Sequence, residues 1–138
     1  MTDQAHPPFS SHGPATRVVP PRRRGASHIL DAARYSLAGL ARLWQEAAAR
    51  LELTGGAVAA VALALHGASP LQWLAFAGLC GAVLALEALN TALEILCDRI
   101  TRDWSIEIKH VKDLGSFAVG LGIVMTTGYV ALVLLDAV

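Results

Sequence analysis

Apolar positions along the chain gather in three long blocks, about 53 to 67, 71 to 86 and 114 to 135. Roughly 20 helical residues cross a hydrocarbon core of about 30 Å, so each block spans or nearly spans a membrane if it is helical. The second block continues without a turn signal into EALNTALEILCD, residues 87 to 98, and its helix is therefore predicted to reach residue 100. The predicted spans are about 51–67, 70–100 and 112–136.

A helical pattern of apolar residues also precedes the first span. Ile29, Leu30, Leu37 and Leu40 share one helix face, which predicts an amphipathic surface helix over about 27–50. Residues 1–25 are rich in Pro, Ser, Gly and Arg and cannot bury a core, so they are predicted to form a disordered basic tail. The predicted fold is an all-α membrane protein in which residues 26–138 form the membrane-embedded domain. That domain has a surface helix and three transmembrane helices.

Composition and charge support a membrane setting. A hydrophobic content of 54% in 138 residues is more than a small soluble domain usually buries. All 11 Lys and Arg lie before residue 51 or between 99 and 112. By the positive-inside rule the N-terminus and the second loop are predicted to be cytoplasmic, and the C-terminus lies on the opposite side. In the first loop, Ser69 is predicted to N-cap the second span, with Pro70 as its first residue.

Acidic and polar residues form a stripe on the second span. Glu87, Asn90, Thr91, Glu94 and Asp98 follow helical spacing along one face. Like charges repel, so the stripe needs a metal, basic residues from elsewhere, or one protonated member. Carboxylates at the membrane edge mark a functional site by default. Glu87, at the end of the apolar run, suits a general base, and Glu94, nearer the cytoplasm, suits Mg²⁺ ligation.

The stripe alone is also compatible with two roles that involve no catalysis. It could fix helix packing through ion pairs, with Asp98 solvated beside Arg99 or Arg102. It could also line the path of a non-catalytic, ion- or proton-conducting trimer. Nothing in the chain supports a nucleic-acid partner, because the PRRR run is typical of an anchor to anionic lipid. The sequence contains no GxxxxGK[ST] loop, GxGxxG motif or nucleophile elbow.

The segment EALNTALEILCDRI, followed by KDLGS at 112–116, resembles the small integral-membrane diacylglycerol kinases of bacteria and their relatives, the undecaprenol kinases. The resemblance covers about residues 26–136. It implies a homotrimer of three-span protomers in the bacterial inner (cytoplasmic) membrane, with active sites shared between protomers. It also implies ATP-dependent, Mg²⁺-assisted phosphorylation of diacylglycerol to phosphatidic acid, with the lipid and MgATP as substrates.

The same resemblance implies roles for individual residues. Glu87 matches the catalytic base and Asn90 the polar group beside it, while Glu46 and Glu94 match the metal ligands and Asp98 supports the cluster. The implied nucleotide-binding residues are Tyr35, Glu46, Glu94, Asp103, Trp104, Ser105, Lys112, Asp113 and His28. The implied lipid-substrate residues are Ser116, Glu87, Arg50 and Glu52.

Two departures from the family pattern concern the nucleotide side. His28 stands where the best-matching relatives have Arg, and residues 103–105 replace the usual Glu-Tyr-His. In addition, Glu46 is one residue closer to Gly39 than in those relatives, a shift of about 100° on an ideal helix. Either the surface helix breaks between these positions, or Tyr35 and Gly39 are out of phase with Glu46.

A further set of residues bears on the lipid acceptor. Gly115 and Ser116 resemble the diacylglycerol kinases, whereas Lys109 resembles the undecaprenol kinases. Diacylglycerol is the favoured acceptor and undecaprenol the alternative.

Overall fold

The computed structural model describes the backbone of residues 26–101 and 103–138, with side chains from residue 29 onward. The predicted tail, residues 1–25, and the side chain of His28 lie outside the described residues. The helices are α1 (Ala26–Leu43), α2 (Ala47–His66), α3 (Pro70–Ile100) and α4 (Ile106–Leu134). Because α2, α3 and α4 are each long and apolar enough to cross a membrane, the predicted all-α fold with three spans is confirmed.

Helix α3 is longer than the hydrocarbon core of a bilayer. Its 31 residues extend roughly 46 Å at 1.5 Å per residue, compared with about 30 Å of hydrocarbon. Measured from Pro70, Glu87 lies at roughly 26 Å and Glu94 at roughly 36 Å along the axis. About three turns of α3 therefore exceed the length that the hydrocarbon requires, and the C-terminal turns of the helix carry Glu94 and Asp98.

Helix α4 begins at Ile106 rather than near residue 112. Ser105 is its N-cap, and the Ser105 hydroxyl accepts a hydrogen bond from the backbone N–H of Ile108 at 3.5 Å. Lys112 and Asp113 consequently lie in the second turn of a helix and not in a loop. The connection between α3 and α4 is reduced to residues 101–105.

The predicted surface helix ends at Leu43 and does not continue to about residue 50. The chain turns over residues 44–46, and Glu46 occupies the N-cap position of α2 with extended backbone (φ −75°, ψ 133°). Arg50 stabilises this break because its guanidinium donates to the carbonyl oxygens of Trp44 (3.1 Å) and Gln45 (3.0 Å). The sequence left two possibilities, a break in the surface helix between Gly39 and Glu46 or a continuous helix with the two out of phase. The structure shows the break.

The turn between α2 and α3 follows local sequence signals. Gly67 ends α2 with a φ of 82°, a left-handed conformation that glycine adopts without steric cost. The Ser69 hydroxyl accepts from the backbone N–H of Gln72 (3.3 Å), and the Gln72 side chain accepts from the N–H of Ser69 (2.7 Å). Pro70 is the first residue of α3. The predicted start of the second span is confirmed.

Packing is densest between α3 and α4, and α1 makes few contacts with the rest of the protomer. The core at the end of the molecule away from the acids consists of Leu63, Phe76, Val130 and Val133. Ile29 and Leu30 on α1 are exposed, as are many large apolar side chains on the outer faces of α2 to α4. Such faces are expected where lipid or another protomer covers a helix.

Candidate active site

Three other carboxylates lie near Glu87 where α2 begins and α3 passes it. The side chain of Glu87 on α3 is buried, with only 4% of the residue exposed, and Glu94 is half-buried. Glu87 is repelled by the charges of Glu94 and Glu46, and Glu52 on α2 is repelled by that of Glu87. Of these four acids, helical spacing in the sequence brings together only Glu87 and Glu94, both of α3. The fold adds the two from the start of α2.

Asn90 links the acids within α3. Its side-chain Nδ2 donates to Oε1 of Glu94 at 3.2 Å. The other amide atom, Oδ1, is buried and has no hydrogen-bond partner among the described residues. Asn90 thus holds the Glu94 carboxylate and keeps an acceptor buried beside it.

Lys112 supplies a cation to this cluster from α4. Its ammonium donates to Oδ1 of Asp98 at 2.6 Å and is also attracted by the charge of Glu94. The ion pair joins α4 to the end of α3. Asp98 therefore has an interhelical partner in Lys112, a pair that the sequence interpretation did not include.

Two further ion pairs involve predicted site residues. Asp113 pairs with Lys109 one turn earlier on α4. Glu46 pairs with Arg42 across the helix break. The role of Arg42 as the partner of Glu46 was missing from the sequence interpretation, although the i,i+4 spacing of opposite charges was a signal for it.

An apolar groove runs between α2, α3 and α4. Its volume is about 640 Å³, within the range of about 300–1,000 Å³ that is typical of ligand sites. Leu51, Gly55, Val83, Ile123 and Val130 are among its lining residues, and Glu52 lies where the groove meets the acids. Oε2 of Glu52 is buried without a hydrogen-bond partner in the described part of the chain. The groove offers an apolar chain a path that ends at carboxylates.

Other predicted site residues are not packed into the cluster of a single protomer. Tyr35 is 76% exposed and Trp104 is 80% exposed. Ser116 is also exposed. These side chains are accessible to a ligand or to a neighbouring protomer.

The remaining predicted residues make hydrogen bonds that involve the backbone of the connections between helices. The backbone N–H of Asp103 donates to the Thr101 hydroxyl at 3.0 Å, and Ser105 caps α4. Arg50, predicted to contact lipid, directs its guanidinium to the carbonyl oxygens of the α1–α2 break. These contacts shape the two connections at the acidic end of the molecule.

The donor chemistry of the cluster fits Mg²⁺. Protein carboxylates usually hold this ion through one or two ligands, with substrate phosphates and water completing its oxygen shell. Glu46 and Glu94 approach Glu87 from two helices, and Glu52 and Asn90 each bury an oxygen that lacks a hydrogen-bond partner among the described residues. No group of three His, Cys, Asp or Glu side chains in the described ranges forms a metal-binding cluster on its own. Any Mg²⁺ bound here would therefore depend on substrate phosphates and water for most of its ligands.

Comparisons with known proteins give a consistent result. The family model described as prokaryotic diacylglycerol kinase matches residues 34–134. A diacylglycerol kinase of Sinorhizobium sp is 42% identical over 114 residues, which cover 83% of this chain and 83% of that protein. The family match includes all of α2, α3 and α4, and with them the acids and Lys112.

Proposed function

This chain belongs to the prokaryotic diacylglycerol kinase family and is a lipid kinase, and we propose that it transfers the γ-phosphoryl group of ATP to the hydroxyl of diacylglycerol. The product is phosphatidic acid. One observation carries this proposal: Glu52, which lines the apolar groove, lies near Glu87 and its neighbouring acids, and Lys112 supplies a cation near Glu94, which is on the same helix as Glu87. Membership of a kinase family also removes the non-catalytic, ion-conducting alternative.

In the proposed reaction the lipid hydroxyl oxygen attacks the γ-phosphorus. The bond from that phosphorus to the bridging oxygen breaks, ADP leaves, and the hydroxyl proton passes to Glu87. Glu87 is suited to this role because it is buried beside the groove through which the lipid would enter. Catalysis of phosphoryl transfer otherwise consists mainly of positioning and charge neutralisation.

The charge on ATP would be neutralised by Lys112 of α4 and by a Mg²⁺ ion that carboxylates of α3 and the start of α2 would hold. Glu46 and Glu94 would hold Mg²⁺, with the Asn90 amide fixing Glu94. When bound with ATP, the ion neutralises charge on the transferred group. Lys112 would exchange Asp98 for phosphate oxygens, because the triphosphate carries more charge than one carboxylate.

Further contacts are proposed on the nucleotide and the lipid. The nucleotide contacts are Tyr35, Asp103, Trp104, Ser105, Asp113 and His28. Arg50 and Glu52 at the start of α2, with Ser116 on α4, would contact the lipid headgroup. Glu52 is supported by its place at the end of the groove.

The chain is a membrane protein, and its site is proposed to face the cytoplasm from the bacterial inner membrane. In the sequence all Lys and Arg precede residue 51 or lie between 99 and 112, and by the positive-inside rule this distribution supports a cytoplasmic N-terminus and a cytoplasmic α3–α4 connection. A homotrimer is proposed because the apolar residues of α1 and the outer helix faces are exposed in one protomer. Native mass spectrometry of the active, detergent-solubilised enzyme should give three copies. An active monomer would contradict this assembly.

The acceptor can be tested directly with purified protein in bicelles, Mg²⁺ and labelled ATP. Diacylglycerol and undecaprenol should be offered in parallel, and transfer to diacylglycerol should be well above transfer to undecaprenol. Asp136→Asn is a matched control, because this exposed acid lies at the opposite end of the molecule beside His66. Greater transfer to undecaprenol would show that undecaprenol, and not diacylglycerol, is the acceptor. Absence of transfer to either lipid would overturn the proposed reaction.

A further inference from the structure

Two glycines of α4 lie against α3 at close range. A Cβ at Gly122 would be 3.2 Å from side-chain atoms of Leu86 and Val83, which is a tight apolar contact. A Cβ at Gly115 would be 2.2 Å from Oδ1 of Asn90 and 3.2 Å from its Cγ. The second approach is a collision that Asn90 can relieve only by moving. The position of the Asn90 amide therefore depends on residue 115 being a glycine, which has no Cβ.

The collision matters because the Asn90 amide has a defined contact. Its Nδ2 donates to Oε1 of Glu94 at 3.2 Å, and both amide atoms are bonded to the same Cγ. A rotation that moves Oδ1 away from a Cβ at residue 115 consequently moves Nδ2 away from Glu94 as well. Asn90 is only 8% exposed, and buried side chains have few other places to go.

We propose that Gly115 is a positioning residue for the Glu94 carboxylate and acts through Asn90. Its bare Cα leaves room for the amide that holds Glu94 in the orientation that receives MgATP. The hydrogen that stands in the Cβ direction points toward Oδ1 of Asn90, as in a Cα–H···O contact. This contact accounts for a buried oxygen that otherwise has no partner among the described residues. The catalytic part of the inference rests on the proposed function.

The contact itself can be tested without any assay of activity. Thermal unfolding in detergent should be measured for Gly115→Ala, Asn90→Ala and the double variant. Gly115→Ala should lower the melting temperature in the wild-type background and leave it unchanged in the Asn90→Ala background, because the amide is then gone. Gly128→Ala is a control, since a Cβ there meets open space within the described structure. An equal loss in both backgrounds would overturn the proposal.

The consequence for the metal can be measured by Mn²⁺ titration with ATP, followed by electron paramagnetic resonance, and by the Mg²⁺ dependence of turnover. Gly115→Ala should weaken metal affinity about tenfold, the lower end of what loss of an orienting neighbour costs a ligand. Asn90→Ala should weaken it similarly, and the double variant no further. Gly122→Ala, which also adds a methyl group between α3 and α4, should leave metal affinity unchanged.

Different results would overturn the positioning role of Gly115 and the proposed function of the protein. Unchanged metal affinity in Gly115→Ala, or the same loss in Gly122→Ala, would overturn the positioning role. Failure of the wild-type protein to phosphorylate any lipid would instead overturn the proposed function, while the unfolding experiment would still decide whether Gly115 positions Asn90.

Discussion

Burial decreases along the acidic stripe of α3 in chain order. Glu87 and Asn90 are buried, Glu94 is half-buried, and the Asp98 side chain is 67% exposed. The cause is packing within the protomer, because neighbouring helices cover this face of α3 at Glu87 and Asn90 and leave the Asp98 side chain more open. A single helix thus carries a buried carboxylate, the proposed proton acceptor, and a half-buried one, the proposed metal ligand.

At the residue scale, Glu87→Gln should separate proton transfer from nucleotide binding. The amide preserves the shape of the side chain but cannot accept the hydroxyl proton. We expect kcat to fall by about 10²–10⁴, the usual contribution of a general base, while the KM for MgATP changes little. Steady-state kinetics with both substrates varied would measure this. A comparable loss of MgATP binding would make Glu87 a ligand of the nucleotide or metal instead.

Glu94→Gln should have a different signature. It removes a charged oxygen from the proposed Mg²⁺ site, so the Mg²⁺ concentration for half-maximal activity should rise about tenfold or more. The hydrogen bond from Asn90 can persist to the amide oxygen, and the protein should remain folded. Circular dichroism and a Mg²⁺ titration, with Asp136→Asn as the control, would test this. Normal Mg²⁺ dependence in Glu94→Gln would assign this carboxylate to helix packing.

At the scale of elements, the ends of the helices differ in how well the local sequence predicts them. The break between α1 and α2 has no such local signal. The start of α3 could be predicted because Ser69 and Pro70 carry capping information of their own. Residues 44–46 contain no Gly or Pro, and Glu46 makes no side-chain capping bond. The turn is instead held by Arg50, which lies in the following helix. A contact of this kind cannot be read from helical periodicity.

Arg50→Ala should therefore loosen the break. Loss of the two hydrogen bonds to Trp44 and Gln45 should speed amide hydrogen exchange over residues 44–47 by about fivefold. Mass spectrometry of exchanged peptides measures this independently of lipid binding. Arg34→Ala is a matched control, because this exposed arginine contacts Asp31 within α1 and not the break. Unchanged exchange would show that the carbonyl contacts do not hold the turn.

The groove between α2, α3 and α4 gives a second prediction at this scale. Gly55 lines the groove, and a Cβ there meets open space within the described structure. Gly55→Leu should fill the space and raise the KM for diacylglycerol about tenfold, with the KM for MgATP unchanged. Gly78→Leu adds the same side chain on α3 outside the groove and should have little effect. A normal lipid KM in Gly55→Leu would place the acyl chains elsewhere.

At the scale of the whole molecule, the three-span arrangement follows from the apolar blocks and the positions of the basic residues. The pairing of helices does not follow from them, because periodicity defines a face but not the neighbour that covers it. Lys112 meeting Asp98, and Gly115 meeting Asn90, depend on the axial register of α4 against α3. That register is set by packing along the full length of both helices. The acids of α3 could accordingly be found from the sequence, whereas the contacts of Lys112 with Asp98 and of Gly115 with Asn90 required the fold.

Membrane orientation gives the last prediction. Three spans would put the two ends of the chain on opposite sides, and the positive-inside rule predicts that the N-terminus is cytoplasmic. In a Cys80→Ala, Cys97→Ala background, an impermeant maleimide added to intact spheroplasts should label Ala137→Cys but not Ser10→Cys. Lysed membranes should label both, which controls for reactivity. Labelling of both positions in intact spheroplasts would overturn the three-span topology. Labelling of Ser10→Cys alone would invert the orientation and put the acids outside, where the cell supplies no ATP.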